Sequence, residues 1–299
     1  MPAGPVLVRV APGEPPGAAW RDALAESQGS GVVLKQEGEA VVRRATLRVA
    51  GAAREVVVKT RIGRGVAEAV KIAAGQGRLA RQWRGAIVLG RLGVRTARPL
   101  ALVRELGAAS ASETLIMEAL EGRSLLEHLA YRDLDPATER AVAEAVGAQL
   151  GRFAAGMRFN RDHKPSNLIV RIPRGGEPEI AVIDCVAVRF APVGLGGVER
   201  MLASLVLEPI GCGCPPTVWE MRRVVRAAAR AMMTRRDGTG PVPGAVSALA
   251  WALWRAAAEI VEAHGDPTPR VNPLTAPSVC PDAGPNGWPG DGGLLGSRR

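Results

Sequence analysis

Aromatic residues are scarce in this chain: Phe, Tyr and Trp make up 3% of 299 residues, with one Tyr and three Phe. A core must therefore be built largely from Ala, Val and Leu, which the 47% hydrophobic content supplies. The same scarcity argues against nucleic acid as a partner, since single strands stack their bases on aromatics along a basic groove. The four cysteines (Cys185, Cys212, Cys214, Cys280) make no zinc pattern, because the C-x-C pair has no second pair and no nearby His. Structural thiols in a reducing compartment are the expectation. No basic stretch followed by an apolar one opens the chain, and no run of about 18 uninterrupted apolar residues occurs, so neither a signal peptide nor a membrane span is expected. No G-x-x-x-x-G-K-[ST] string is present, which disfavours a P-loop nucleotide site.

Acidic residues are also in deficit, 29 against 39 basic, giving a formal net charge of +10. Such a balance favours anionic partners, and with few aromatics a phosphate group or an anionic membrane surface fits better than nucleic acid. A chain of this length has room for two modest domains or one bilobal unit.

What is present centres on Arg161-Asp162-His163-Lys164-Pro165-Ser166-Asn167. Asp162 and Asn167 stand five apart, as in a phosphotransferase catalytic loop, where the Asp orients an acceptor hydroxyl and the Asn holds Mg²⁺. Lys164 lies between them, placed to meet a transferring phosphoryl group. Downstream, Ala181-Val182-Ile183-Asp184 reads as a strand delivering a second Mg²⁺ ligand, Asp184. Upstream, Glu55-Val56-Val57-Val58-Lys59 is a β-branched run ending in a Lys suited to the α/β-phosphates. Each string alone is an ordinary strand terminus; the three in this order point to one site using ATP and Mg²⁺.

The chain between these motifs is consistent with them. Residues 1–28 read as an N-terminal extension with a short helix near Trp20. Three strands are expected at residues 32–35, 40–49 and 54–59, separated by turns at Glu37-Gly38-Glu39 and Ala50-Gly51-Ala52. Gly38 is the one glycine in the turn that would cover nucleotide phosphates. Residues 63–93 are basic and helical in tendency, with Leu79, Trp83, Ile87 and Leu89 on an apolar face. This helix should carry a Glu to pair Lys59, yet Gln82 and Ile87 occupy the expected turns. Two further strands at 100–103 and 114–117 lead to a hinge at Glu118 and Ala119, where backbone groups would read an adenine edge. Asp135-Pro136 opens a helix whose stripe Val142, Val146, Leu150, Phe153 and Met157 predicts one buried face. Helices are expected at 198–207, from Thr217 with a Thr-x-x-Glu220 capping box, and at 245–263 with Trp251 and Trp254. The Pro- and Gly-rich residues 265–299 are expected to be a disordered tail.

The whole reads as an α+β, bilobal protein-kinase-like fold: an antiparallel β-sheet N-lobe over 29–118 and a mainly helical C-lobe over 119–264. Asn160 through Val170, then Val182-Ile183-Asp184 and Arg189-Phe190, resemble the lipopolysaccharide kinase family (Kdo/heptose kinases, InaA-like). So does Gly93-Val94-Arg95-Thr96-Ala97-Arg98-Pro99. The resemblance covers about residues 31–235. It implies ATP-dependent phosphorylation of a sugar hydroxyl on the lipopolysaccharide inner core, at the cytoplasmic face of the inner membrane. Asp162 would be the base, Asn167 and Asp184 the Mg²⁺ ligands, and Lys59 the α/β-phosphate contact. Asn160 stands where the family's His is usual, and Cys185-Val186 follow Asp184 in place of Phe-Gly. Two rival readings stay open at this point. One is a pseudokinase scaffold, favoured by the missing helix Glu and the sparse glycine turn. The other is a kinase with a protein or small-molecule acceptor.

Overall fold

The computed structural model describes residues 6–27, 30–107, 110–191, 197–234 and 243–264; the expected tail at 265–299 lies outside them. The chain divides into two compact units, residues 1–90 with 96–120, and residues 91–95 with 121–299.

The first unit is built on strands β1 (Val6–Val10), β2 (Val32–Glu37), β3 (Ala40–Val49), β4 (Ala52–Arg64), β5 (Pro99–Leu106) and β6 (Ser110–Glu118). They form one antiparallel sheet in the order β1-β5-β6-β4-β3-β2. Helices α1 (Gly17–Glu26), α2 (Val66–Ala73) and α3 (Arg78–Arg91) complete it. Alternation along β3 sends Ala45, Leu47 and Val49 into the core, where they meet Val56 and Val58 of β4. Trp20 and Ala23 of α1 close that core. The segment expected as an extension thus supplies an edge strand and a helix of this unit. Glu14 pins it, its side chain 3% exposed, paired with Arg54 at 2.5 Å and Arg98 at 2.7 Å.

One buried acid explains the start of α3. Glu113 of β6 accepts from the Leu79 N–H at 3.0 Å, capping the helix from outside its own sequence. A Cβ on Gly77 would sit 2.2 Å from that carboxylate, so a side chain there would displace Glu113 from its cap. Burial pushes the Glu113 carboxyl above its ordinary range, against the lowering effect of the Leu79 and Ala80 N–H groups.

The second unit comprises β7 (Arg123–Ser124), α4 (Leu125–Tyr131), α5 (Pro136–Ala155), β8 (Arg158–Asn160), β9 (Leu168–Arg171), β10 (Glu179–Val182), β11 (Val188–Phe190), α6 (Val198–Gly211), α7 (Val218–Met233) and α8 (Pro243–His264). Its strands form two small sheets, β10-β9-β7 and β11-β8. The helix starts are those the sequence marks. Asp135 accepts from the Ala137 and Thr138 N–H groups with Pro136 behind it, and Thr217 and Glu220 close a capping box. In α5, Val142, Val146, Leu150 and Phe153 are buried as expected. Met157 is not: it lies past the helix end with φ 50° and is 54% exposed. The α5–α7 packing rests instead on Gly147 and Gly151, where a Cβ would approach Val224 O to 2.2 Å and Ala231 Cβ to 2.3 Å.

Helix α8 is long and apolar enough to cross a membrane by length and composition (Gly244–His264, mean hydropathy 1.2). Val246, Ala250, Leu253, Trp254, Ala257 and Val261 fall at helical spacing on one buried face, and 33% of that span is buried.

Candidate active site

Four of the sequence-predicted residues come together in the second unit because of one hairpin. Strand β9 pairs with β10 in the register Leu168↔Val182. Asn167 precedes the first of these and Ile183 follows the second, and the Ile183 N–H donates to Asn167 O at 3.0 Å. Asn167 and Asp184 are thereby delivered to the same end of one ladder. A short 3-10 turn, Pro165–Asn167, links Lys164 to β9.

The side chains are tied to backbone rather than left to rotate. Asn167 Nδ2 donates to Asp162 O at 3.0 Å, which commits the amide nitrogen and leaves its oxygen as the atom that could hold a cation. Asp184 Oδ1 accepts from the Val186 N–H at 3.1 Å. Asn160 is fully buried and spans both segments: its Nδ2 donates to Asp184 O at 2.9 Å, and its Oδ1 accepts from the Asp162 N–H at 3.3 Å. A residue that departs from the resembled pattern therefore fastens the catalytic loop to the Asp184 segment. The oxygens of one carboxylate and one amide suit Mg²⁺, a hard cation that takes few protein ligands and keeps several waters. Among the described residues no cluster of three His, Cys, Asp or Glu offers a competing site.

Lys164 lies between two carboxylates, 3.9 Å from Asp162 Oδ1 and 3.4 Å from Glu208 Oε1. Glu208 of α6 also accepts from the Ser166 N–H at 2.8 Å and the Ser166 hydroxyl at 2.7 Å. Sequence reasoning missed this anchor. Its signal was a single charged residue in the run from Met201 to Ile210. His163 is not a catalytic group: it is fully buried, edge-on to Phe153 at 5.3 Å, and burial lowers its pKa to about 3, so the ring is neutral.

Beside the loop, β8 and β11 pair Phe190 with Arg158 and Val188 with Asn160. Phe190 is 61% exposed and the Arg158 guanidinium lies 5.2 Å from its ring centre. Arg161 and Arg189 are exposed nearby in the sequence, and none of the three arginines forms an ion pair among the described residues.

The other four predicted residues belong to the first unit. Lys59 is half-buried on β4, in register with Val42 and Leu115. Gly38 occupies the β2–β3 turn at φ 53°, with nothing within 4 Å of a Cβ built there. Glu118 and Ala119 end β6 with both N–H groups already donated, to Arg98 O at 2.9 Å and Glu55 O at 3.3 Å. Gln82 is buried on α3, its Nε2 3.3 Å from Met117 Sδ.

Comparison with known proteins places this geometry. The sequence pattern of the Lipopolysaccharide kinase (Kdo/WaaP) family matches residues 24–186, a span holding all eight predicted site residues. Among solved structures, WaaP in complex with acyl carrier protein is similar with a TM-score of 0.53 at 16% identity, over 84% of this chain and 99% of that one. The Mycobacterium tuberculosis PknI kinase domain, a double mutant, aligns with a TM-score of 0.41 at 17% identity, over 76% of this chain and 94% of that one. No curated protein sequence matches. The likeness to WaaP establishes the kinase-like fold, and the chain belongs to the lipopolysaccharide kinase (Kdo/WaaP) family.

Proposed function

We propose that this kinase transfers the γ-phosphoryl group of ATP, with Mg²⁺, to a hydroxyl of an anionic sugar in the lipopolysaccharide inner core, at the cytoplasmic face of the inner membrane. The observation that carries the reading is the tethered Asp162–Asn167–Asp184 set with unpaired arginines beside it. When bound, Mg²⁺ offsets charge on the phosphates. Asn167 and Asp184 are the residues to hold it, and Lys59 is the residue for the α/β-phosphates. Asp162 accepts the hydrogen bond of the acceptor hydroxyl and takes its proton as the phosphoryl group moves. Lys164, held near Asp162 by Glu208, sets positive charge against the transferring group. Phe190, with Arg158 stacked on it, gives a face for a sugar ring, and Arg161 and Arg189 suit its carboxylate or phosphate substituents.

The test is Mg-ATP-dependent transfer of labelled phosphate to isolated lipid A–core glycolipid, with Asp162→Ala as the comparison. Turnover should fall by at least about 10²-fold while ATP affinity stays nearly unchanged. Turnover near that of the unaltered chain would overturn the role of Asp162. Equal labelling of a neutral sugar acceptor would overturn the anionic class.

A further inference from the structure

The outer face of α7 carries a row of arginines. Counting 100° per residue, Trp219, Arg222, Arg223, Arg226 and Arg230 fall within about 100° of arc. The opposite face, with Met221, Val224, Val225, Ala227, Ala228 and Ala229, is buried. Trp219 is 67% exposed, and the Arg222 guanidinium lies 4.7 Å from its ring centre. Arg226 and Arg230 are exposed and form no ion pair among the described residues. The helix has one acid, Glu220, which is turned to Arg132 at 2.9 Å. Glu139 of the neighbouring α5 is near Arg223 and shares a hydrogen bond with Glu220.

We infer that this face of α7 docks on an anionic lipid bilayer. The guanidinium groups of Arg222, Arg223, Arg226 and Arg230, spread along about 12 Å of helix, match a plane of lipid phosphates. An exposed Trp at one end of the row is suited to the headgroup boundary, where an indole keeps its ring in the apolar layer and its N–H wet. A nucleic acid would use the same charges, but the row offers a single aromatic and no groove. The inference deepens the reading of a membrane-borne acceptor and rests on it for its biological meaning. Vesicle binding is nevertheless read without ATP or acceptor, so the two can fail separately.

The experiment is cosedimentation of the full chain with phosphatidylcholine vesicles containing about 30% phosphatidylglycerol, against pure phosphatidylcholine. Binding should require the anionic lipid, weaken with salt, and fall at least about tenfold in Arg226→Glu/Arg230→Glu. The Arg226→Lys/Arg230→Lys variant, which keeps the charge, should bind almost as the parent does. Quenching of tryptophan fluorescence by brominated lipid should drop in Trp219→Phe. Equal binding by the Glu and Lys variants overturns the assignment of the face. Absence of binding to anionic vesicles, or capture of RNA in preference to them, overturns the choice of a bilayer.

Discussion

The β9–β10 hairpin of the second unit, with Asn167 and Asp184 at its end, and the β2–β3 turn of the first are held in place to very different degrees. Around the hairpin, three side chains of the site are held by a named contact: Asn167 to Asp162 O, Asp184 to the Val186 N–H, and Lys164 to Glu208. Around Gly38 the holding is looser: apart from its chain neighbours no atom lies within 4 Å of a Cβ built there, every residue of β2 is exposed, and Glu37 and Glu39 pair with the exposed Lys35 and Arg64. Fixed dipoles and charges that need not reorganise are where enzymes gain most of their rate. Substitutions should therefore be costly in the hairpin and mild at the turn.

The steepest way to break that contrast is Asn160→Ala. It removes the two Asn160 side-chain bonds that join the Asp162 and Asp184 segments and leaves Asp184 O without its buried donor. An unsatisfied buried group costs about 1–3 kcal/mol, and misplacement of about 1 Å at a reacting centre costs up to about 10²-fold. The expected result is a lowered Tm together with a drop in kcat of about 10–10²-fold. A normal kcat at a temperature where the variant stays folded would show that the bridge is dispensable.

How much of this was legible follows the same division. Lys59, Asp162, Asn167 and Asp184 stand out in the sequence as candidates because the chemistry they would perform belongs to the side chain and their spacing is local. Capped starts at Asp135 and Thr217 are legible for the same reason. Long-range support was not. Glu208 reaches Ser166 across 42 residues, and Glu113 caps α3 across 34, with no periodicity to announce either. Met157 was expected in the core because the helical stripe was extended one step too far; the chain turns left-handed there and exposes it. Strand β1 escaped notice, and the helix expected near Trp20 was not assigned to the sheet unit, because a Pro- and Gly-rich stretch separates the two and the burial of Trp20 comes from sheet neighbours far along the chain.

A smaller effect is expected at the turn. Gly38→Ala forces a residue with a Cβ to keep φ 53°, at a cost of about 1 kcal/mol, but meets no neighbouring atom. Activity should change by less than about threefold if the turn is ordinary hairpin chemistry. A loss approaching that of Asp162→Ala, with the fold intact, would show that the turn backbone covers the phosphates and would erase the contrast between the two regions.

The smallest expected effect lies away from both. Glu139 and Glu220 line a cavity of about 170 Å³ between helices of the second unit, with Arg132 beside them. The hydrogen bond to Glu220, with burial behind it, raises the Glu139 pKa to about 7, while Glu220 is lowered chiefly by its bond to Glu139 and by Arg132. Because the folded Glu139 holds a proton that the unfolded chain releases above about pH 4.5, its contribution is full in acid and is lost as pH rises through about 7. Glu220 acts in the other sense, stabilising above its unfolded pKa and losing that as pH falls. Glu139→Gln keeps a hydrogen-bond donor for Glu220 at every pH, so the variant should gain on the parent as pH rises from about 5 to about 8. With Glu139 partly exposed, solvent screening keeps the gain under about 1 kcal/mol. Denaturant unfolding at the two pH values checks it, and parallel pH profiles for the two proteins would show that the carboxylates do not share a proton.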